Sequence, residues 1–188
     1  MPTTLYIKNM VCDRCIMVVK QILTNCGLSV EQVVLGQATL AEKPNEQQLQ
    51  QVGKELSKVG FELLDDKNRQ IVERIKNEIV RLVYDDDTHL KTKLSNHLAS
   101  LLNYDYSALS KLFSEQTGIT IEKFHIMQKI ERVKELLSYG ELTLNEIAVK
   151  MDYSSIAYLS AQFKSITGQT PSQYKADKQS HRKSIDHI

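Results

Sequence analysis

Residues 107–124 and 157–174 share one amino-acid pattern, displaced by fifty positions without a gap. The matched positions are Leu109/Leu159, Ser110/Ser160, Phe113/Phe163, Thr117/Thr167, Gly118/Gly168, Thr120/Thr170 and Phe124/Tyr174. A repeat with this period indicates that one supersecondary unit was built twice. Apolar residues at helical spacing, followed by a glycine, predict that this unit is a helix-turn-helix.

Residue types place the boundaries of the first copy. Its predicted helix caps are Ser95, Asp105 and Thr120, and its predicted turn residues are Asn103 and Gly118. The helices that follow from these signals cover residues 96–102, 106–117 and 121–139. The first copy is therefore predicted to be two short helices followed by a longer connecting helix.

The second copy repeats this scheme. It is predicted to have a short helix over 144–151, a turn at Asp152 and a helix capped by Ser155 that runs to Thr167. Pro171 then opens a closing helix, because proline is favoured at the first helical position. Before both copies, the sequence predicts a short polar join at 65–68 and a helix from Arg69 to Tyr84. Residues 67–188 are thus predicted to be an all-α double helix-turn-helix domain.

Composition constrains the binding partner only weakly. The 188 residues carry a net charge of +1, so no strong overall field favours a nucleic acid. Residues 1–66 hold 6 Lys/Arg and 8 Asp/Glu, a net charge of −2, and the remainder has a net charge of +3. This asymmetry mildly favours nucleic-acid binding by the second part.

Sequence signals for membranes and secretion are missing. No apolar run approaches the roughly 20 residues of a membrane span, and residues 1–8 lack the pattern of a secretory leader. Three cysteines, an odd number, do not form a disulfide framework. We expect a cytoplasmic protein with reduced thiols that does not bind membranes.

The first sixty-six residues alternate between strand and helix patterns. β-Prone segments and apolar positions recurring every three or four residues indicate the elements. They predict strands over 3–10, 28–35, 37–42 and 61–64, and helices over 12–26 and 44–59. The order βαββαβ predicts a ferredoxin-like α+β domain over residues 1–66.

Cys12 and Cys15 fall where the first strand leads into the first helix. Free amide groups and the dipole at a helix N-terminus stabilise thiolates. Two thiolates three residues apart can bind one soft metal ion. The third cysteine, Cys26, lies eleven residues beyond Cys15, about 16 Å along a helix, and is a poor third ligand.

Residues 3–65, with Met10-Val-Cys12-Asp-Arg-Cys15 at their loop, resemble the heavy-metal-associated domain of copper chaperones and metal-pump tails. The resemblance implies that Cys12 and Cys15 bind one soft metal ion, copper(I) or zinc-like, and that Met10 packs inward. The family usually has Gly before this Met and Thr after it, where this chain has Asn9 and Val11.

The two residues between the cysteines leave the identity of the metal undecided. Arg14 would offset the negative charge of a two-thiolate copper(I) site, whereas Asp13 would add an oxygen ligand for zinc, cadmium or lead. Two hypotheses that involve no metal remain as well. The same spacing suits a thiol–disulfide switch, and in the other alternative the domain is a folded spacer or dimerisation module that kept its cysteines.

The second half of the chain resembles the AraC/XylS family of bacterial transcription regulators, over about residues 69–176. The matching residues are Leu109-Ser-Lys-Leu-Phe-x4-Gly118, Ile147-Ala148 and Tyr158-Leu-Ser-x2-Phe-Lys-x3-Gly168-x-Thr-Pro171-x2-Tyr174. The resemblance implies binding to double-stranded promoter or operator DNA. The family often has Arg where Ala161 stands.

Helix dimensions predict how both copies reach DNA. A connecting helix of about eighteen residues is about 27 Å long. With the widths of the flanking helices, it would space two recognition helices by roughly one DNA turn, about 34 Å. One chain would then enter two successive major grooves on the same face. No oligomeric state is predicted.

Outward-facing positions of the two recognition helices are the candidate DNA contacts. Small side chains let a helix approach base edges, and lysines reach bases or phosphates. The predicted DNA-binding residues are Tyr106, Ser107, Ser110, Lys111, Ser114, Ser155, Ala157, Ser160, Ala161 and Lys164. A basic tail from about residue 176 is predicted to touch phosphates.

These patterns lead to one hypothesis with two rivals. We expect a sequence-specific DNA-binding transcriptional regulator that responds to a soft metal ion at Cys12 and Cys15. The rivals are a metal carrier or buffer protein with a DNA tether, and a thiol redox-sensing regulator. An enzyme is not expected, because no catalytic arrangement or phosphate-binding glycine loop stands out.

Overall fold

The structure, a computed structural model, describes residues 2–85 and 92–176. The chain divides into two compact units, Met1–Glu78 with Leu90–Gly118 and Ile79–His89 with Ile119–Ile188. The division lies within a helix rather than at residue 66, and the predicted boundary at residue 66 stays a prediction about sequence modules. The basic tail lies outside the described residues.

A small antiparallel sheet forms the start of the first unit. Its strands are β1 (Thr3–Lys8), β2 (Val30–Val34), β3 (Gln37–Leu40) and β4 (Glu62–Leu64), in the spatial order β2-β3-β1-β4. Helix α1 (Asp13–Asn25) follows β1, and helix α2 (Glu46–Ser57) lies between β3 and β4. In the central pair, Leu5 of β1 lies opposite Ala38 of β3.

The core of this sheet is built by alternation in the strands and helical periodicity in α1 and α2. One apolar cluster combines strand and helix residues with the buried Met10. Its fully buried members are Ile7, Met10, Val19, Leu23, Ala38, Leu40, Val52 and Leu56. Each leucine-sized side chain buried here contributes about 1.5–3 kcal/mol to folding. The prediction that Met10 packs inward is confirmed.

Side-chain caps set two helix starts in the first unit. Asn45 caps α2 through a reciprocal pair of hydrogen bonds with Gln48. Helix α3 (Lys67–Tyr84) begins two residues before the predicted Arg69, because the carboxylate of Asp66 accepts hydrogen bonds from two backbone amides of its first turn. The predicted polar join at 65–68 therefore already contains the first turn of α3.

Six further helices complete the described chain: α4 (Leu94–Leu102), α5 (Tyr106–Thr117), α6 (Ile121–Tyr139), α7 (Leu144–Lys150), α8 (Ile156–Thr167) and α9 (Pro171–Ala176). The predicted cap at Ser95 is wrong, because α4 begins at Leu94 with Lys93 as its cap residue. Leu94 is half-buried one turn before the buried Leu98, so packing overrides the capping preference of serine. The predicted all-α character of this part is confirmed.

The second unit has its own apolar core. It joins Val83 of α3 to side chains from α6, α7, α8 and α9. Its fully buried members are Ile130, Val133, Ile147, Leu159 and Phe163. Tyr174 of α9 packs edge-on against Phe163, with ring centroids 5.5 Å apart. Over the two described stretches, no helix combines the length and the apolar character that crossing a membrane requires.

Candidate nucleic-acid interface and thiol pair

A tight turn joins α4 to α5 in the first unit. Asn103 ends α4 in the left-handed conformation, with φ of 54°, as predicted. The carboxylate of Asp105 accepts hydrogen bonds from the backbone amide and the hydroxyl of Ser107, at 2.8 and 2.5 Å. These bonds lower the pKa of Asp105, so it stays ionised and caps α5 as predicted.

The predicted contact residues of α5 differ in exposure. Ser107 and Lys111 are exposed, whereas Tyr106, Ser110 and Ser114 are half-buried. The hydroxyl proton of Ser107 is already donated to Asp105, so only its oxygen lone pairs are available to a ligand. Lys111 lies 3.9 Å from Glu115 in an exposed ion pair, which an anion can displace at little cost.

The turn between α7 and α8 repeats this construction in the second unit. Asp152 takes the left-handed conformation, with φ of 51°. The hydroxyl of Ser155 accepts a hydrogen bond from the amide of Tyr158 and caps α8, as predicted. Glycines in the left-handed conformation end both α5 and α8, at Gly118 and Gly168. The two copies thus share turn, cap and stop.

Helix α8 exposes most of its predicted contact residues. Ser155, Ala157, Ala161 and Lys164 are exposed, and Ser160 is half-buried. On the opposite side of the helix, Leu159 and Phe163 are fully buried. The exposed predicted contacts of α8 are therefore small side chains with one lysine. Small side chains permit a helix to approach a DNA groove closely.

Four residues at one edge of α8, Lys129, Tyr153, Tyr158 and Gln162, were not among the predicted contacts. The hydroxyl of Tyr153, in the turn before α8, donates to the side-chain carbonyl of Gln162 at 2.6 Å. The Nζ of Lys129 lies 4.1 Å from the Tyr153 ring centroid, and the exposed Tyr158 ring is 5.9 Å away. Burial and the neighbouring Tyr158 raise the pKa of Tyr153, so its hydroxyl remains a donor.

Cys12 and Cys15 come together at the start of α1. Their sulfur atoms are 3.4 Å apart, and Cys12 occupies the cap position of the helix. Both thiols are free, and Cys12 is exposed. The predicted placement of this pair at a strand-to-helix junction is confirmed.

The two thiols differ in acidity. Slight burial acts to raise the pKa of Cys12, but hydrogen bonds from Cys15 and the Arg14 amide, with the Arg14 charge, together lower it. Burial raises the pKa of Cys15, and proximity to Cys12 adds to the increase. Cys12 is therefore the readier thiolate. Burial and the charge of Glu55 raise the pKa of Cys26.

Backbone geometry explains the residue before Met10. Asn9 has φ of 70°, the left-handed region that favours glycine. Its amide donates to Oε1 of Glu73 in α3 at 3.2 Å, and its side chain donates to the carbonyl of Gly60 at 2.8 Å. Among the described residues, no third His, Cys, Asp or Glu joins Cys12 and Cys15 in a metal-binding cluster.

Comparisons with known proteins match the helical part of the chain. Residues 98–177 match a family model described as a helix-turn-helix domain. An uncharacterized helix-turn-helix-type transcriptional regulator of Staphylococcus aureus is 33% identical over 116 residues. That match covers 62% of this chain but only 14% of the relative. The chain therefore spans only a small part of that relative's length.

Two further proteins are similar to part of the chain. The Msm operon regulatory protein of Streptococcus mutans is 28% identical over 86 residues, covering 46% of this chain and 31% of that protein. The solved C-terminal domain of AraT, a response regulator from Geobacillus stearothermophilus, is 25% identical with a TM-score of 0.50. It is covered completely, by 63% of this chain.

Proposed function

We propose that this chain, whose residues 98–177 carry a helix-turn-helix domain, is a DNA-binding transcriptional regulator of the AraC type. The observation that carries the proposal is the repeated construction around α5 and α8. Each copy has a left-handed turn residue, a side-chain cap and a glycine stop, and each buries a Leu/Phe pair. The similar proteins named as a transcriptional regulator and as an operon regulatory protein support the same function.

A charge reversal on the exposed face of α8 tests DNA binding. We expect Lys164→Glu to weaken binding to duplex DNA at least tenfold, because it places a carboxylate against the phosphate backbone. Lys20→Glu is the matched control, since Lys20 is exposed on α1, outside the helix-turn-helix. Affinities would be measured by fluorescence anisotropy on duplexes enriched from a random pool. Equal losses in both variants would contradict the proposal.

The two helix-turn-helix copies are proposed to enter two successive major grooves. Helix α6 has 19 residues and so is about 28 Å long, close to the length required to span one DNA turn with its flanking helices. The outward Ser110 and Lys111 of α5, and Ala157 and Lys164 of α8, would then face DNA.

A response to a soft metal ion is the second proposed function. It rests on the ferredoxin-like interpretation of residues 1–66, which the order of strands and helices supports. The sulfur spacing fits a metal: with Zn–S bonds of about 2.3 Å, 3.4 Å between sulfurs corresponds to an S–Zn–S angle of about 95°. The exposure of Cys12 and its lowered pKa favour thiolate ligation. Bound at Cys12 and Cys15, the ion would crosslink the loop after β1 to the first turn of α1.

Titration with zinc and copper(I) separates this function from its rivals. A metal-dependent change in DNA affinity that the Cys12→Ser/Cys15→Ser variant loses supports the metal-responsive regulator. Metal binding without a change in DNA affinity supports the carrier or buffer protein. A change in DNA affinity with oxidant alone supports the redox-sensing regulator. Cys26→Ser is the matched control and is expected to behave as the wild type, because Cys26 lies at the far end of α1.

A further inference from the structure

Four side chains form a cluster along one edge of α8. Lys129 of α6 lies over the ring of Tyr153, Tyr153 donates to Gln162, and the ring of Tyr158 packs at an angle beside that of Tyr153. Tyr153 is only 8% exposed and belongs to the core of the second unit, whereas Tyr158 is 55% exposed. The cluster therefore runs from the core to the surface beside the predicted contact line.

The hydrogen bond from Tyr153 fixes one end of the Gln162 amide. A glutamine on a helix surface ordinarily samples several rotamers, and ordering it on binding costs entropy. Here the carbonyl oxygen is held 2.6 Å from a hydroxyl that the core itself immobilises. The amide nitrogen makes no hydrogen bond within the described stretches of the chain, and the residue is half-buried. Gln162 thus offers two oriented N–H donors.

Helical periodicity gives the direction in which these donors lie. Ala161 lies opposite the buried Leu159 and Phe163, and Gln162 is about 100° further around the helix. When a helix lies in a major groove, its outermost line meets base edges and its flanks meet the sugar-phosphate walls. Phosphate oxygens are acceptors, which matches the free N–H groups, and the Lys129 ammonium adds positive potential nearby.

We propose that Tyr153 is a positioning residue that orients the Gln162 amide to donate a hydrogen bond to a backbone phosphate of duplex DNA. The proposal rests on the proposed DNA-binding function and adds two residues to its interface. Because phosphate contacts carry no sequence information directly, this contact contributes equally on every duplex.

The test uses the full chain and a mixed-sequence duplex of about 30 base pairs in low salt, about 50 mM. Tyr153→Phe removes only the hydroxyl, and Gln162→Met removes the amide at nearly constant volume. We expect each to weaken binding about threefold to tenfold, and the double variant to bind no more weakly than Gln162→Met alone. Tyr139→Phe is the matched control, because it deletes an exposed tyrosine hydroxyl that donates to Glu135 in α6.

Gln162→Glu keeps an acceptor for Tyr153 while placing a negative charge toward the phosphate. We expect its affinity to fall more than tenfold with its urea unfolding midpoint preserved, which separates the contact from a loss of folding. Additive effects of Tyr153→Phe and Gln162→Met would overturn the positioning role. Losses confined to one enriched sequence would overturn the phosphate contact in favour of a base contact. If the wild type binds no duplex at all, the proposed function fails, whereas wild-type affinity in Tyr153→Phe refutes only this inference.

Discussion

Asn9 links three parts of the first unit from a single strained position. Its backbone is left-handed, its amide is bound by Glu73 of α3, and its side chain reaches the carbonyl of Gly60. Asparagine tolerates this conformation better than other residues with a Cβ atom, which accounts for its presence at this position. The hydrogen bond from Asn9 to Glu73 thereby holds the start of the loop that carries Cys12 against α3.

Substitutions at Asn9 separate backbone strain from side-chain bonding. Asn9→Gly and Asn9→Ala both lose the hydrogen bond to Gly60, but only alanine adds the left-handed penalty of about 1 kcal/mol. We expect Asn9→Ala to be less stable than Asn9→Gly by that amount in urea unfolding. Equal stabilities would show that the loop relaxes to another conformation.

His125 of α6 makes the stability of the protein depend on pH. Burial and the nearby charge of Lys129 lower its pKa from 6.5 to about 4. Between these values the unfolded chain binds more protons than the folded one, so the free energy of unfolding falls as pH drops. This contribution is fully present above pH 6.5 and is lost toward pH 4, and it amounts to about 2–3 kcal/mol.

His125→Gln removes this titration. We expect the difference in unfolding free energy between wild type and variant to shift by about 2–3 kcal/mol from pH 7 to pH 4, in favour of the variant at the acidic end. Urea unfolding at a series of pH values measures it. Carboxylates titrate in both proteins, so parallel pH profiles would contradict the assignment to His125.

At the scale of the element, two glycines have opposite roles in their helices. Gly118 stops α5 with φ of 75°, whereas Gly53 lies inside α2. A Cβ atom at either position meets nothing within 4 Å, so only the backbone decides the outcome. We expect Gly118→Ala to lower the unfolding free energy by about 1 kcal/mol and Gly53→Ala to raise it by about 0.5–1 kcal/mol. Circular dichroism during urea unfolding checks both, and a change of the same sign in both would contradict this account.

Sequence reasoning succeeded where the signal is local. Asn103, Asp105 and Ser155 take their predicted turn and cap roles, because each depends on residues within a few positions. The early start of α3 was missed because Asp66 caps two amides just beyond it, which the prediction assigned to a polar join.

Contacts between residues far apart in the sequence could not be predicted from it. The bond from Asn9 to Glu73 joins positions 64 residues apart, and no periodicity in the sequence encodes it. The Tyr153–Gln162 bond spans nine residues across a turn, and its pairing depends on the packing of the Tyr153 ring. Predicted DNA contacts were chosen by helical face alone, so the flank of α8 was overlooked.

For the whole molecule, the proposed double engagement of DNA predicts a footprint with two separable halves. We expect the wild type to protect two segments of an enriched duplex from cleavage. The two segments would lie on one face of the DNA, about 10–10.5 base pairs apart, each flanked by a minor groove. Lys111→Glu should remove one segment and Lys164→Glu the other, because the two lysines lie on different recognition helices. Hydroxyl-radical footprinting measures this. Simultaneous loss of both segments in each variant would contradict independent engagement.

Helix α3 has residues in both compact units. Its early turns form hydrogen bonds with Asp66 and Asn9, and Val83 near its end lies in the apolar core of the second unit. A fragment trimmed at residue 67 to isolate the helical part would therefore start with an uncapped helix and leave the Glu73 carboxylate without its amide donor. Removing residues 2–66 would thus take away the bonds that hold the first turns of α3, as well as the two thiols.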